Sequence, residues 1–157
     1  MSWGETIVPL GDIRLQVVMF INALMDEEGS EVLNGQMMDA GVPKRLMELF
    51  VQHKHSTILH GAVQAFIRVC MRTDSVRFRL LDEFHLLDWI ADHGTEQWAL
   101  EVSERASYSG FLYAITEDLL KFSFDEGVAM RFARNKRWRC FLDNVDKYRQ
   151  GFLWETI

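Results

Sequence analysis

Proline and cysteine are scarce in this chain: two of each in 157 residues, beside ten glycines. So few breakers leave little room for linkers or for the many tight turns of a β-rich fold. No Cys-x-x-Cys occurs, and Cys70 and Cys140 are far apart. Both fall on apolar stripes, so the expectation is two buried reduced thiols rather than a disulfide or a nucleophile. No apolar run approaches the roughly 20 residues that span a bilayer. The N-terminus lacks the basic segment and apolar run of a secretory signal. The expected compartment is the cytoplasm or the nucleus, with no membrane partner. Positive charge is also in deficit: the formal net charge is −6. That argues against general affinity for phosphate backbones, hence against nucleic acid as a partner. Gly-x-Ser-x-Gly, P-loop and dinucleotide fingerprints are all missing. Gly11-Asp12-Ile13 begins like a metal-phosphatase motif, but Arg14 stands where a histidine is needed and the downstream blocks are lacking.

What is present is apolar residues at helical spacing. Apolar residues make up 48% of the chain and charged ones 25%, enough for one domain with a sizeable core. The chain is organised around Gly41 to Arg72. Pro43 can open a helix, because its missing N–H is not needed in the first turn. Leu46, Leu49 and Phe50 then share one face. Ser56 or Thr57 can cap the next helix. That helix carries Leu59, Val63, Phe66, Ile67 and Cys70 as a wide stripe.

Upstream, Met1 to Val8 reads as an extended lead-in and Pro9 starts a helix. Ile13, Val17, Phe20, Ile21 and Leu24 give that helix an apolar face to about Asp26. Glu27 to Ser30 breaks it, with Ser30 as the next N-cap. Leu33, Met37 and Ala40 follow, and Gly41 closes this helix as a C′ glycine. Gly35 inside it predicts the close approach of a neighbour. Downstream, Asp74 caps a helix with Phe78 and Leu81. Leu86, Leu87 and Ile90 extend to His93-Gly94, with no strong breaker between the two. Thr95 to Arg105 is irregular: Trp98, Leu100 and Val102 alternate as in a strand, but no partner strand is visible, so it reads as helix or loop. Tyr108 to Phe122 is a strong helix, Asp125 starts a shorter one, and Lys136 starts the last. That last helix aligns Trp138, Phe141, Leu142, Val145 and Tyr148. The closing residues 151–157 carry Phe152, Leu153 and Trp154, an apolar tail expected to tuck against the body.

No strict repeat is visible, yet helix pairs recur at roughly 35–45-residue intervals, the range of helical-repeat arrays. Such pairs bury their stripes only by stacking. The expected fold is therefore all-α, a helical-repeat solenoid segment (armadillo- or HEAT-like) of about eight helices in a single domain over residues 1–157. A compact irregular bundle is the alternative.

Three constellations could carry chemistry. His53, His55 and His60 could bind zinc with water in the fourth position, as in a metal hydrolase. No carboxylate or cysteine completes a recognised ligand spacing, and His60 adjoins a buried stripe, so a structural histidine is the expectation and no metal is assigned. Glu117-Asp118 and Asp125-Glu126 read as solvated helix ends. Arg131, Arg134, Lys136, Arg137 and Arg139 surround Trp138 and could meet an acidic partner or a single strand. A solvated face around a buried Trp138 is the plainer reading.

Four blocks of the chain resemble the SAPS family, the regulatory subunits of phosphatase-6-type serine/threonine phosphatases. They are Pro9-Leu10-Gly11 with Arg14-Leu15 and Val17-Val18; Ala40-Gly41-Val42 through Lys44-Arg45 to Leu49-Phe50; Ile58-Leu59-His60 with Val63; and Tyr108, Gly110, Leu112 and Ile115, followed by Trp138 and Phe141. Lys54 to Thr57 depart from the family's usual Pro-Trp-Asn-Asn, and Phe111 stands where it has histidine. The family's helical domain is longer, so the chain is similar to its later part. The resemblance implies a non-catalytic scaffold without cofactors. Its partner would be a phosphatase-6-type catalytic subunit, with further regulatory subunits open. The partner-binding residues expected are His53, His55 and His60 at the turn, and Arg134, Arg137 and Arg139 at the basic rim. A helical-repeat adaptor for some other protein is the alternative.

Overall fold

A computed structural model describes residues 10–26 and 31–155. The described residues are all-α: α1 (Asp12–Asp26), α2 (Glu31–Asp39), α3 (Val42–Gln52), α4 (Thr57–Arg72), α5 (Asp74–Asp82), α6 (Leu86–Trp98), α7 (Ser109–Leu120), α8 (Glu126–Arg134) and α9 (Lys136–Glu155), with a 3-10 turn at Val102–Glu104. The pattern predicts about eight, with the stretches from Asp74 and from Leu86 open to being one helix; in the described residues they are two. The expected lead-in at Met1 to Val8, the start at Pro9 and the break and cap at Glu27 to Ser30 lie outside the described residues. So do the side chains of Tyr148 and the apolar tail, though α9 carries the backbone through Glu155.

The hub is α4. It packs against α1, α3, α5 and α7, while α6 packs against α5, α7 and α9. A helix with neighbours on several sides needs a wide apolar surface, and Leu59, Val63, Phe66, Ile67 and Cys70 are all buried. Burial pushes the Cys70 thiol up to about 12, so it stays protonated and inert. Cys140 is exposed, contrary to its expected place in the core. It lies on the flank of α9, beside the face on which Trp138, Phe141 and Val145 are buried.

Local signals explain some of the ends. Gly41 adopts φ 73°, the left-handed conformation that closes α2 and admits α3 directly behind it. The Asp125 carboxylate accepts a hydrogen bond from the Val128 N–H at 3.0 Å and so caps α8. Asn135 does the same for α9, accepting from the Trp138 N–H at 2.9 Å. Ser56 is the N-cap residue of α4, but its side chain makes no capping bond. A break after α5 separates it from α6: His85 sits at φ 50°, ψ 45°, a left-handed turn. Helix α6 then passes Gly94 and continues to Trp98, beyond the expected end.

Two expectations fail on packing. Nothing lies within 4 Å of a side chain built at Gly35, so no neighbour presses there. Its carbonyl instead accepts a long bond from Arg79, 3.5 Å, while Arg79 also pairs with Asp39. Asp118 is not at a solvated helix end. It is buried, and it accepts hydrogen bonds from Gln64, Arg68 and Lys121. Burial opposes its charge, yet those three donors outweigh that and hold its carboxyl below the usual range. This network pins α7 to α4.

Candidate protein-docking surface

The predicted histidines do not converge. His55 is exposed. His53 is buried at the end of α3, and His60 is fully buried in α4. The His60 ring donates through Nε2 to the Phe50 carbonyl at 3.0 Å. It is boxed by Phe50, Tyr108 and Phe111, with ring centroids 4.7, 5.7 and 5.5 Å away. A ring so committed has no lone pair aimed at solvent. Among the described residues no group of three histidine, cysteine or carboxylate side chains could hold a metal ion. His60 is thus a core residue joining α3, α4 and α7.

That placement makes stability sensitive to acid. Burial, first of all, lowers the His60 pKa below 6.5, against the raising effect of its bonds to backbone at Phe50 and His53. A group whose folded pKa is depressed contributes stability that is complete above its unfolded value and is lost as pH falls through the folded one. Wild-type stability should therefore decline as pH drops below 6.5. His60→Gln, which keeps a donor but cannot take the proton, should flatten this slope by up to about 1.4 kcal/mol per pH unit. Urea unfolding between neutral pH and the onset of carboxylate titration measures it. An unchanged slope would assign the acid sensitivity to other groups.

The arginines are arranged differently from the histidines. Arg131 makes a two-pronged pair with Asp82 at 2.8 and 2.7 Å and lies over the Phe78 ring at 4.2 Å. It holds α8 against α5 and is structural. Arg137 pairs with Asp92 at 3.3 Å across the α6–α9 contact. Arg134 and Arg139 are exposed and form no ion pair with a described residue. Trp138 is fully buried beneath this rim against Phe132 and Phe141.

Arg134 borders a groove of about 510 Å³ between the α5–α6 turn and the α8–α9 junction, with Asp82, Asp88, Met130 and Asn135. A second groove, about 660 Å³, runs between α3 and α6, walled by Lys44, Met47, Val51, Phe84, Trp89 and His93. His85 lines both. Its left-handed turn breaks the α5–α6 run and places His85 between the two grooves. Asn135 braces the first by donating to Asp88 at 2.9 Å. Trp89 braces the second, with its ring 5.2 Å from Phe50 and 5.5 Å from His93. Open, partly aromatic grooves with charged edges suit a protein surface. Sequence reasoning reached Arg134 but missed Trp89, Phe84 and His85. Trp89 lies in the apolar stretch after Leu86 and Leu87, but nothing in that spacing says its ring is half-exposed.

Comparison with known proteins finds no matching family model, no matching curated protein and no matching solved structure. No helix among the described residues is long and apolar enough to cross a membrane.

Proposed function

We propose that this chain is a non-catalytic scaffold: a helical-repeat, armadillo- or HEAT-like segment that binds a serine/threonine phosphatase catalytic subunit of the phosphatase-6 type in the cytoplasm and directs it to substrates. The observation that carries the scaffold reading is the pair of open grooves that His85 borders, one lined by Trp89 and the other by Arg134. They offer an aromatic anchor and an uncommitted cation for a protein partner. The choice of partner rests on the SAPS-like blocks. In the fold, Phe50, Leu59, His60, Val63, Tyr108, Leu112, Ile115, Trp138 and Phe141 are all buried. They bear on a shared core, and a partner is recognised by what surrounds them.

The second reading is an adaptor for another protein. The turn Lys54 to Thr57 favours it, because the residues departing from the SAPS pattern include exposed His55. Affinity purification from native cells, read by identifying the bound proteins, separates the two. The first reading expects a phosphatase catalytic subunit in the wild-type eluate, reduced at least tenfold by Arg134→Glu with Arg139→Glu. A different protein lost on the same variant supports the adaptor. Binding that ignores both substitutions removes the Arg134 groove from the docking surface.

A further inference from the structure

Helix α1 has two apolar seams. One faces the hub: Val18 and Met25 are buried, and between them Asn22 donates to the Ala62 carbonyl of α4 at 2.8 Å. The other points away. Ile13, Val17 and Phe20 are 78%, 51% and 62% exposed, and Leu24, half-buried, continues their line. These four residues are spaced four, three and four apart, the alternation by which one helix packs along another. Beside this seam lies an apolar groove of about 250 Å³, walled on the far side by Val42, Leu46 and Leu49 of α3. It exists because α1 and α3 both seat on α4 while packing little on each other. Knob and groove are thus on one surface, the condition for a patch to pair with its own copy about a two-fold axis.

We infer that the outer seam of α1 is a homodimer interface, in which α1 pairs antiparallel with α1 of a second copy. The spacing fits such an axis. Placing it midway between Val17 and Phe20 sets each of these against the other in the partner, and the same axis sets Ile13 against Leu24. Charge agrees. Helix α1 has no basic residue in its last turn, and Arg14 sits in its first, where its own dipole disfavours a cation. Arg14 pairs with no carboxylate among the described residues. In the antiparallel arrangement each Arg14 lies over the other copy's C-terminal turn, where the carbonyl ends carry partial negative charge. The two α1 dipoles also oppose. This interface is separate from the grooves beside His85, so neither proposal needs the other.

Sedimentation equilibrium of the full chain at increasing concentration tests it. The expected species at high concentration has twice the 18.4 kDa chain mass. Val17→Glu and Phe20→Glu should return it to 18.4 kDa with the helical circular dichroism retained, because both side chains are solvent-facing in the single copy. Arg14→Glu should raise the dimer dissociation constant several-fold, up to about tenfold. Phe124→Ser, at an 83%-exposed site in the α7–α8 turn, should leave the dimer intact. A wild type that stays monomeric throughout overturns the inference and leaves the seam to a helix of another protein. A dimer unaffected by Val17→Glu and Phe20→Glu overturns it too.

Discussion

Gly94→Ala is expected to destabilise the protein by about 2 kcal/mol, although alanine is the better helix former by about 1 kcal/mol. A Cβ at this position would lie 2.2 Å from one ring carbon of Phe141 and 2.8 Å from the next. Ordinary carbon contacts lie near 3.5–4.0 Å, so the ring would have to move by more than about 1 Å. It has nowhere to go. Phe141 is 1% exposed, stacked at 4.8 Å on Trp98 and in contact with Trp138. Relief would come only by separating α6 from α9. A loss of this size lowers the melting temperature by about 4–8 °C for a chain of this length. Gly61→Ala is the internal control. Its Cβ would meet Phe111 at 3.7 Å, an ordinary contact, so the change should be neutral or slightly stabilising. Shrinking the obstacle should also help: Gly94→Ala should cost at least about 1 kcal/mol less on a Phe141→Leu background. Additive losses in that double-mutant cycle would place the strain elsewhere.

Gly94 also marks what the sequence could and could not say. A glycine in an apolar helical pattern reads as a helix end, and the expected end at His93-Gly94 followed from that. In the fold it is a crossing point, and α6 runs on to Trp98. The difference is set by Phe141, nearly fifty positions away. The same reasoning at Gly35 anticipated a close approach, where a Cβ would meet nothing within 4 Å. A glycine signals that something is needed locally, but long-range packing decides what.

Helix existence was legible because the stripes are strong. The α4 stripe is buried throughout, since a hub helix meets neighbours on several sides. The α1 stripe has the same period but faces outward along much of its length. Periodicity locates a seam, and it cannot say whether the partner belongs to this chain. The candidate site was less visible for a related reason. Histidines close in sequence looked like a cluster, yet the α3–α4 turn sends His55 outward and the helix takes His60 into the core. His85 carries no sequence signal for its left-handed turn, although its side chain lines both grooves. Asp118 looked like half of a solvated pair, because its partners Gln64 and Arg68 lie far back in α4.

The largest loss should come from Phe50→Ala, about 3–5 kcal/mol, a large share of the roughly 5–15 kcal/mol that holds a domain together. Phe50 is fully buried at the end of α3. Its ring meets His60 of α4, Trp89 of α6 and Tyr108 before α7, at 4.7, 5.2 and 5.3 Å. Removing it opens a cavity that three helices cannot close without giving up other contacts. Tyr108 is further held because its hydroxyl accepts from Gln97 at 3.1 Å, while Gln97 also accepts from the Ala106 N–H. That buried network resists collapse into the space, so the cost should fall near the upper end. Two readouts distinguish this account from a generic core defect. Trp89 loses its edge contact, so tryptophan fluorescence should shift to the red in the folded variant. His60 loses part of the packing that excludes water, so its depressed pKa should move back toward 6.5 and the acid-dependent loss of stability should shrink. Phe50→Leu, which keeps most of the volume, should cost less than half as much and preserve the pH profile. A Phe50→Ala protein that unfolds with the wild-type pH dependence would show that the ring cluster does not control the environment of His60.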